Sequence, residues 1–223
     1  MILVFDLDDT LYDEITFVYS GFKAVSSYLS NHYNLNASVL YDDFRNELHI
    51  AGRGAIFDTI LQKNKIQSYS LIKKCIRIYR QHTPSIQLNP DAKYCLEAYQ
   101  HTPKYVVTDG NKTAQSNKAN ALKLSSYVKK IFITHAYGLK NSKPSPYCFK
   151  KIASLEKVPY HKCVYIGDNP KKDFVQIKKI GFHTIRIRQG MFKTLSMSKN
   201  YEAHHTITSL FEIPTILKTI EKK

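Results

Sequence analysis

Asp6 and Asp8 stand two residues apart at the end of a short apolar run, ILVFD at 2–6. Alternate residues of an extended segment point to the same side, so both carboxylates can face one site. Two carboxylates held that close repel unless a cation lies beside them, and Mg²⁺ suits hard oxygen ligands. Asp9 and Asp13 follow at once and read as a turn residue and a helix cap. A second cluster is Thr108-Asp109-Gly110-Asn111, in which a hydroxyl precedes a glycine turn. That arrangement offers an oxygen donor and exposed main-chain N–H groups to phosphate oxygens. A third is Lys143, set in LKNSKPSP at 139–146, where two prolines fix the backbone around a cation. A fourth is Gly167-Asp168-Asn169-Pro170-Lys171-Lys172-Asp173, whose two acids straddle a turn and a helix start.

These clusters need elements to bring them together. Runs of about five residues, rich in β-branched and aromatic types, occur at 2–6, 104–108, 129–134, 162–166 and 183–187. Each reads as a strand buried on both faces. Helical spacing fills 113–123, 145–156 and 171–180 between the later runs. Strands alternating with helices predict an α/β fold with a doubly wound parallel sheet. In such sheets chemistry gathers beyond the carboxyl ends of the strands, where the four clusters fall. Residues 14–88 differ: no strand pattern appears, and apolar residues recur at three and four, as in Phe17, Phe22, Val25 and Leu29. Further helices are expected near 39–48, 54–63 and 69–82. The organisation predicted is an α/β core of 1–13 and 89–223 carrying a helical insert at 14–88.

The chain has 223 residues with Lys+Arg 33 against Asp+Glu 18, a net charge of +15. Such an excess brings nucleic acid to mind as a partner. Of those cations 27 are Lys and only 6 are Arg. Dispersed lysine decorates solvated surfaces, whereas bidentate phosphate and base readers use arginine. Residues 1–14 run against the trend, with five acids and no Lys or Arg. Cys75, Cys95, Cys148 and Cys163 lack any CxxC or metal spacing and read as thiols in a reducing cytosol. No apolar run is long enough for a transmembrane span, so the expected location is cytoplasmic, with no membrane partner.

The ordered quartet DLDDT, TDG, KPSP and GDNPKKD resembles the haloacid dehalogenase (HAD) superfamily of phosphotransferases. The resemblance spans about residues 2–190, with 203–220 similar to the family's closing strand and helix. The insert after the first motif resembles the family's small helical cap. On that resemblance Asp6 is the nucleophile that becomes an aspartyl phosphate, and Asp8 is the acid and then the base. Thr108, with the backbone of Asp109 and Gly110 after it, holds the phosphoryl group, and Lys143 neutralises its oxygens. Mg²⁺ is bound by Asp6, Asp168 and the main-chain carbonyl of Asp8. Asp173 orients Lys143 or a water on the metal, Thr10 ties down the turn after Asp8, and Asn111 supports the site from behind.

The second aspartate separates subgroups, because the family's dehalogenases lack it. The resemblance therefore implies a phosphatase acting on a small phosphorylated metabolite: a sugar, polyol or nucleotide phosphate. A phosphomutase of the same superfamily is the alternative, as is a nucleic-acid-binding or polynucleotide end-phosphatase role drawn from the +15 charge. Nucleic acid is not the expected partner, given the lysine-dominated charge. Within the cap, Arg53 in its Gly-Arg-Gly turn, and more weakly Arg45, are the candidates to touch substrate.

Overall fold

The structure is a computed structural model, and it describes residues 1–221. In chain order it runs β1 (Ile2–Phe5), α1 (Glu14–Tyr33), α2 (Ala37–Ala51), α3 (Ile56–Lys63), α4 (Tyr69–Gln81), α5 (Pro90–Ala98), β2 (Lys104–Thr108) and α6 (Lys112–Ala121). It continues with β3 (Lys130–Ile133), α7 (Tyr147–Glu156), β4 (Cys163–Gly167), α8 (Val175–Lys179), β5 (His183–Ile187), β6 (His205–Ile207) and α9 (Ile213–Glu221). Two compact units result, one of Met1–Glu14 with Gln87–Lys223 and one of Ile15–Ile86.

The first unit contains a six-stranded sheet in the order β3-β2-β1-β4-β5-β6, and every pair is parallel. Parallel strands must be covered on both faces, which explains why all residues of β1, β2 and β4 are buried. Ile2, Val4, Tyr105, Val107, Phe132, Tyr165, Phe149 and Phe182 pack together between one face of the sheet and its helices. The chain reverses direction of winding at β1, which pairs with β2 on one side and β4 on the other. Phe5 lies level with Val106 and Ile166, so the residues after β1, β2 and β4 emerge at one edge.

The second unit is a bundle of helices around its own core. Val18, Phe22, Val25, Leu29, Leu40, Phe44, Ile60, Leu61 and Cys75 form that core at helical spacing. Asn36 caps α2 through Ser38 N and Val39 N, and Ser68 caps α4 through Leu71 N.

Two local expectations fail. The helix expected over 171–180 is confined to Val175–Lys179. The residues before it are used in a turn instead, with Asn169 O accepting from Lys172 N and Asp173 N. Helix α5 was not foreseen, because its nine residues bury Asp91 beside Ala92, Cys95 and Leu96 and so blur the apolar stripe.

Candidate active site

Asp6 is the first residue past β1, held in line by its N–H donating to Ile166 O at 2.8 Å. Its carboxylate lies 2.8 Å from Lys143 Nζ, and the Lys143 side chain is 1% exposed. The same ammonium lies 2.9 Å from Asp173 Oδ1 and donates to Tyr165 OH at 3.0 Å. Tyr165 donates to Asp173 Oδ1 at 3.2 Å, and Asn169 N donates to Asp173 Oδ2 at 2.9 Å. Asp173 is thus fully engaged in holding Lys143 and the turn. A Cβ at Gly167 would sit 2.5 Å from Asp173 Oδ2, so β4 must end in glycine for this carboxylate to fit. Burial lifts Asp6 to about 6, with Lys143 pulling the other way. Burial opposes charge on Lys143 too, but Asp173 and Asp6 outweigh it and hold the ammonium well above its ordinary value.

Asp168 follows Gly167 at the end of β4, is 4% exposed, and has no hydrogen-bond partner among the described residues. Burial, then the charges of Asp173 and Asp6, push it up to about 9. Carboxylate oxygens of Asp6, Asp168 and Asp173 all lie within 4.8 Å of one another. An all-oxygen set with one buried, unpartnered carboxylate fits a hard divalent cation such as Mg²⁺. Asp173 already accepts from three donors, so Asp6 and Asp168 are the carboxylates better placed to take it.

Asp8 is held by a different set of donors from those around Lys143. Its Oδ1 accepts from Tyr12 OH at 2.5 Å and Lys118 Nζ at 2.7 Å, and its Oδ2 from Gln115 Nε2 at 2.9 Å. Burial alone would raise Asp8, but Lys118 and these hydrogen bonds outweigh it and hold the carboxyl below its ordinary value. Thr108 ends β2 and is 1% exposed, with its Oγ1 accepting from Gln115 Nε2 at 2.7 Å.

The remaining candidates are placed as follows. The Asp109 side chain accepts from Thr134 Oγ1 at 2.6 Å, Lys143 N at 3.0 Å and Lys172 Nζ at 3.0 Å. It therefore braces the Lys143 loop, and only its main chain can serve a phosphate. Gly110 takes φ +134°, a left-handed-side conformation that a side chain would strain. Asn111 is the N-cap of α6, accepting from Ala114 N at 3.2 Å, and so fixes the start of the helix that carries Gln115 and Lys118. Thr10 closes the turn through its main chain, its N–H donating to Leu7 O at 3.4 Å, while its buried hydroxyl has no partner among the described residues. Asp9 caps the start of α1 through Glu14 N and also accepts from Met191 N at 3.2 Å. Arg45 and Arg53 lie exposed in the helical unit. The Arg45 guanidinium rests over the Tyr19 and Tyr41 rings, 5.0 and 5.7 Å from their centroids.

Residues 3–187 match the haloacid dehalogenase-like hydrolase family. The chain belongs to that family. A glyceraldehyde 3-phosphate phosphatase of Methanocaldococcus jannaschii is 27% identical over 242 aligned positions, covering 99% of this chain and 98% of that one. A HAD-superfamily hydrolase of Geobacter sulfurreducens superposes with a TM-score of 0.68 at 14% identity, covering 97% and 95% of the two chains. A HAD hydrolase of Bacillus subtilis, solved bound to magnesium, superposes at 0.65 with 18% identity and 97% of each chain covered.

The sequence reading of this haloacid dehalogenase-like chain passed over Tyr12, Gln115, Lys118, Tyr165 and Lys172. Lys172 adds charge near Asp6 and pairs with Asp109. A signal for two of them was available. The buried face of α6 is Ala114, Gln115, Lys118 and Ala119, a helical stripe in which two of the four positions are polar. Polar residues on the packed face of a helix that follows a TDG turn are candidates for the site beneath it.

Proposed function

We propose that this chain is a Mg²⁺-dependent phosphatase that hydrolyses a small phosphate monoester through an aspartyl-phosphate on Asp6. The observation that carries the reading is the buried Asp6 carboxylate, fixed beside Lys143 at the reversal of the sheet. Asp6 attacks phosphorus, and the phosphorus–oxygen bond to the alcohol breaks as the new one forms. Asp8, ionised in the free chain, takes the proton of the bound ester monoanion and passes it to the departing alkoxide; it later takes one from the water that releases phosphate and regenerates Asp6. Lys143, the Thr108 hydroxyl and the N–H groups of Asp109 and Gly110 receive the phosphoryl oxygens, whose charge must be stabilised as transfer proceeds. Asp6, Asp168 and the main-chain carbonyl of Asp8 would hold Mg²⁺, which supplies positive charge to the phosphoryl oxygens and relieves carboxylate repulsion.

The helical unit is assigned the role of a substrate-selecting cap. The full-length relative that acts on glyceraldehyde 3-phosphate makes a short phosphorylated metabolite the first substrate to test. The experiment is phosphate release over a panel of triose, sugar, polyol and nucleotide phosphates, with 3′- and 5′-phosphorylated oligonucleotides included, with and without Mg²⁺. Release from a small monoester that requires Mg²⁺ and vanishes in Asp6→Asn supports the reading. Activity that survives in folded Asp6→Asn overturns the nucleophile, and turnover confined to oligonucleotide ends overturns the substrate class.

A further inference from the structure

Two buried polar side chains on one face of α6 have no place in the chemistry just described, yet both touch it. Gln115 is 2% exposed and Lys118 is 4% exposed, one helical turn apart. Burying an amide and an ammonium where apolar side chains would pack costs stability unless their partners return it. Their partners are site groups. Lys118 Nζ and Tyr12 OH hold Asp8 Oδ1 at 2.7 and 2.5 Å, while Gln115 Nε2 holds Asp8 Oδ2 at 2.9 Å. Both oxygens of Asp8 are therefore tied, so neither its χ1 nor its χ2 rotation is free.

Gln115 does more than hold Asp8. The same Nε2 lies 2.7 Å from Thr108 Oγ1 and 2.6 Å from Asp109 O, so its two hydrogens are shared among three acceptors. All three partners around that atom can accept, so the amide nitrogen belongs there and the amide cannot be reversed. Its Oε1 is left buried without a partner, a cost the fold carries in order to point Nε2 at the strand ends. Thr108 Oγ1 accepts from Gln115, and its own proton goes only to Asp109 O at a long 3.5 Å, a contact that a phosphoryl oxygen would replace. Gly110 makes room for this side chain, since a Cβ there would stand 3.2 Å from Gln115 Cγ.

We infer that Gln115 and Lys118, with Tyr12, are positioning residues that aim Asp8 at the leaving oxygen and turn the Thr108 hydroxyl toward the phosphoryl group. The inference rests on the proposed phosphatase reading. A proton donor matters most when the leaving group is poor, so misaiming it penalises alkyl esters and largely spares nitrophenyl esters. Loss of packing alone would lower both alike.

The test is kcat/KM, which reports the first phosphoryl transfer, for p-nitrophenyl phosphate and for an alkyl phosphate such as glycerol phosphate. Each variant is compared with the parent chain so that differences in ester binding cancel. Lys118→Met and Gln115→Leu are expected to lower the alkyl-to-nitrophenyl ratio by about 10- to 100-fold, the scale of a misplaced catalytic group. Asp8→Asn is expected to lower the ratio further, and Lys118→Arg to restore it in part. Tyr12→Phe, which removes one oxygen atom, provides a milder variant if the others fold poorly. An equal loss on both esters in folded variants overturns the inference. An unchanged ratio in Asp8→Asn overturns Asp8 as the acid, and with it the inference. Absence of turnover on either ester by the parent chain with Mg²⁺ overturns the phosphatase reading itself.

Discussion

Replacing Lys143 by Met keeps the length of the side chain and removes only its charge and donors. The ammonium lies between two carboxylates, 2.8 Å from Asp6 and 2.9 Å from Asp173, and the side chain is 1% exposed. Deleting one partner of a buried ionic cluster costs about 3–5 kcal/mol, because the remaining charges stay buried without compensation. For a chain of this size each kcal/mol moves the melting temperature by about 2–4 °C, so a fall of about 6–20 °C is expected. The measurement is urea unfolding followed by circular dichroism, with calorimetry for Tm, in a chelator so that no divalent ion replaces the lysine. The pH dependence has a definite sign. Asp6 is already lifted to about 6 with Lys143 pulling against burial, and loss of the lysine lifts it further. A carboxylate raised in the folded state binds its proton more tightly there, so protonation favours the fold as pH falls through the raised value. The deficit of Lys143→Met should therefore be largest near pH 7.5 and narrow toward pH 5. Adding Asp173→Asn removes one uncompensated charge and should recover more than about 1 kcal/mol by coupling. A deficit below about 1 kcal/mol at pH 7.5, or one that widens on acidification, refutes the argument.

Arg186 is fully buried on β5, with its Nη1 bonded to both Glu202 oxygens at 2.7 and 2.8 Å and its Nη2 donating to Phe192 O and Leu195 O. Arg186→Met strands these acceptors and should cost about 3 kcal/mol in urea unfolding, at the low end because Glu202 is partly exposed. Burial would raise Glu202, but bonds from Arg186 and Met197 N–H hold it below its ordinary 4.5. That contribution is present above pH 4.5 and lost as pH falls further, so the parent chain should show an acid-limb loss that the variant lacks. Gly167→Ala drives a methyl into the Asp173 carboxylate and should destabilise by about 1–3 kcal/mol, with a drop in phosphatase activity larger than that of an alanine elsewhere in β4.

The strands and the four motifs were legible because each announces itself locally. A five-residue β-branched run ending in Asp, or a Gly-Asp turn, carries its meaning within one window. Lys143, one of 27 lysines, was legible only as part of the ordered motif resemblance, the KPSP prolines alone being too weak a signal. What stayed hidden depends on registration between elements distant in sequence. Gln115 bonds Asp8 across 107 positions, and Lys172 bonds Asp109 across 63. Tyr165 looks like one more aromatic in a buried strand until its hydroxyl is found between Lys143 and Asp173. Thr10 and Asn111 turn out to act locally, one closing the turn after Asp8 through its main chain and the other capping α6.

The charge pattern takes on a sharper meaning at the sheet edge. There the carboxylates of Asp6, Asp8, Asp109, Asp168 and Asp173 stand against the ammonium groups of Lys118, Lys143 and Lys172. Each lysine is paired: Lys118 with Asp8, Lys143 with Asp6 and Asp173, and Lys172 with Asp109. Asp168 has no lysine of its own, and with all five carboxylates ionised these eight groups lack two positive charges; without a cation, burial meets part of that deficit by holding the proton on Asp168. A phosphate dianion brought to such a surface would be repelled, because field lines in a buried cluster are poorly screened. One divalent cation beside Asp6 and Asp168 cancels the deficit and leaves Lys143 free to face phosphoryl oxygens. On the proposed reading, Asp6 and Asp8 of the acidic first 14 residues belong to a site that a metal ion would complete, and the surplus lysines of a +15 chain need no polynucleotide to explain them.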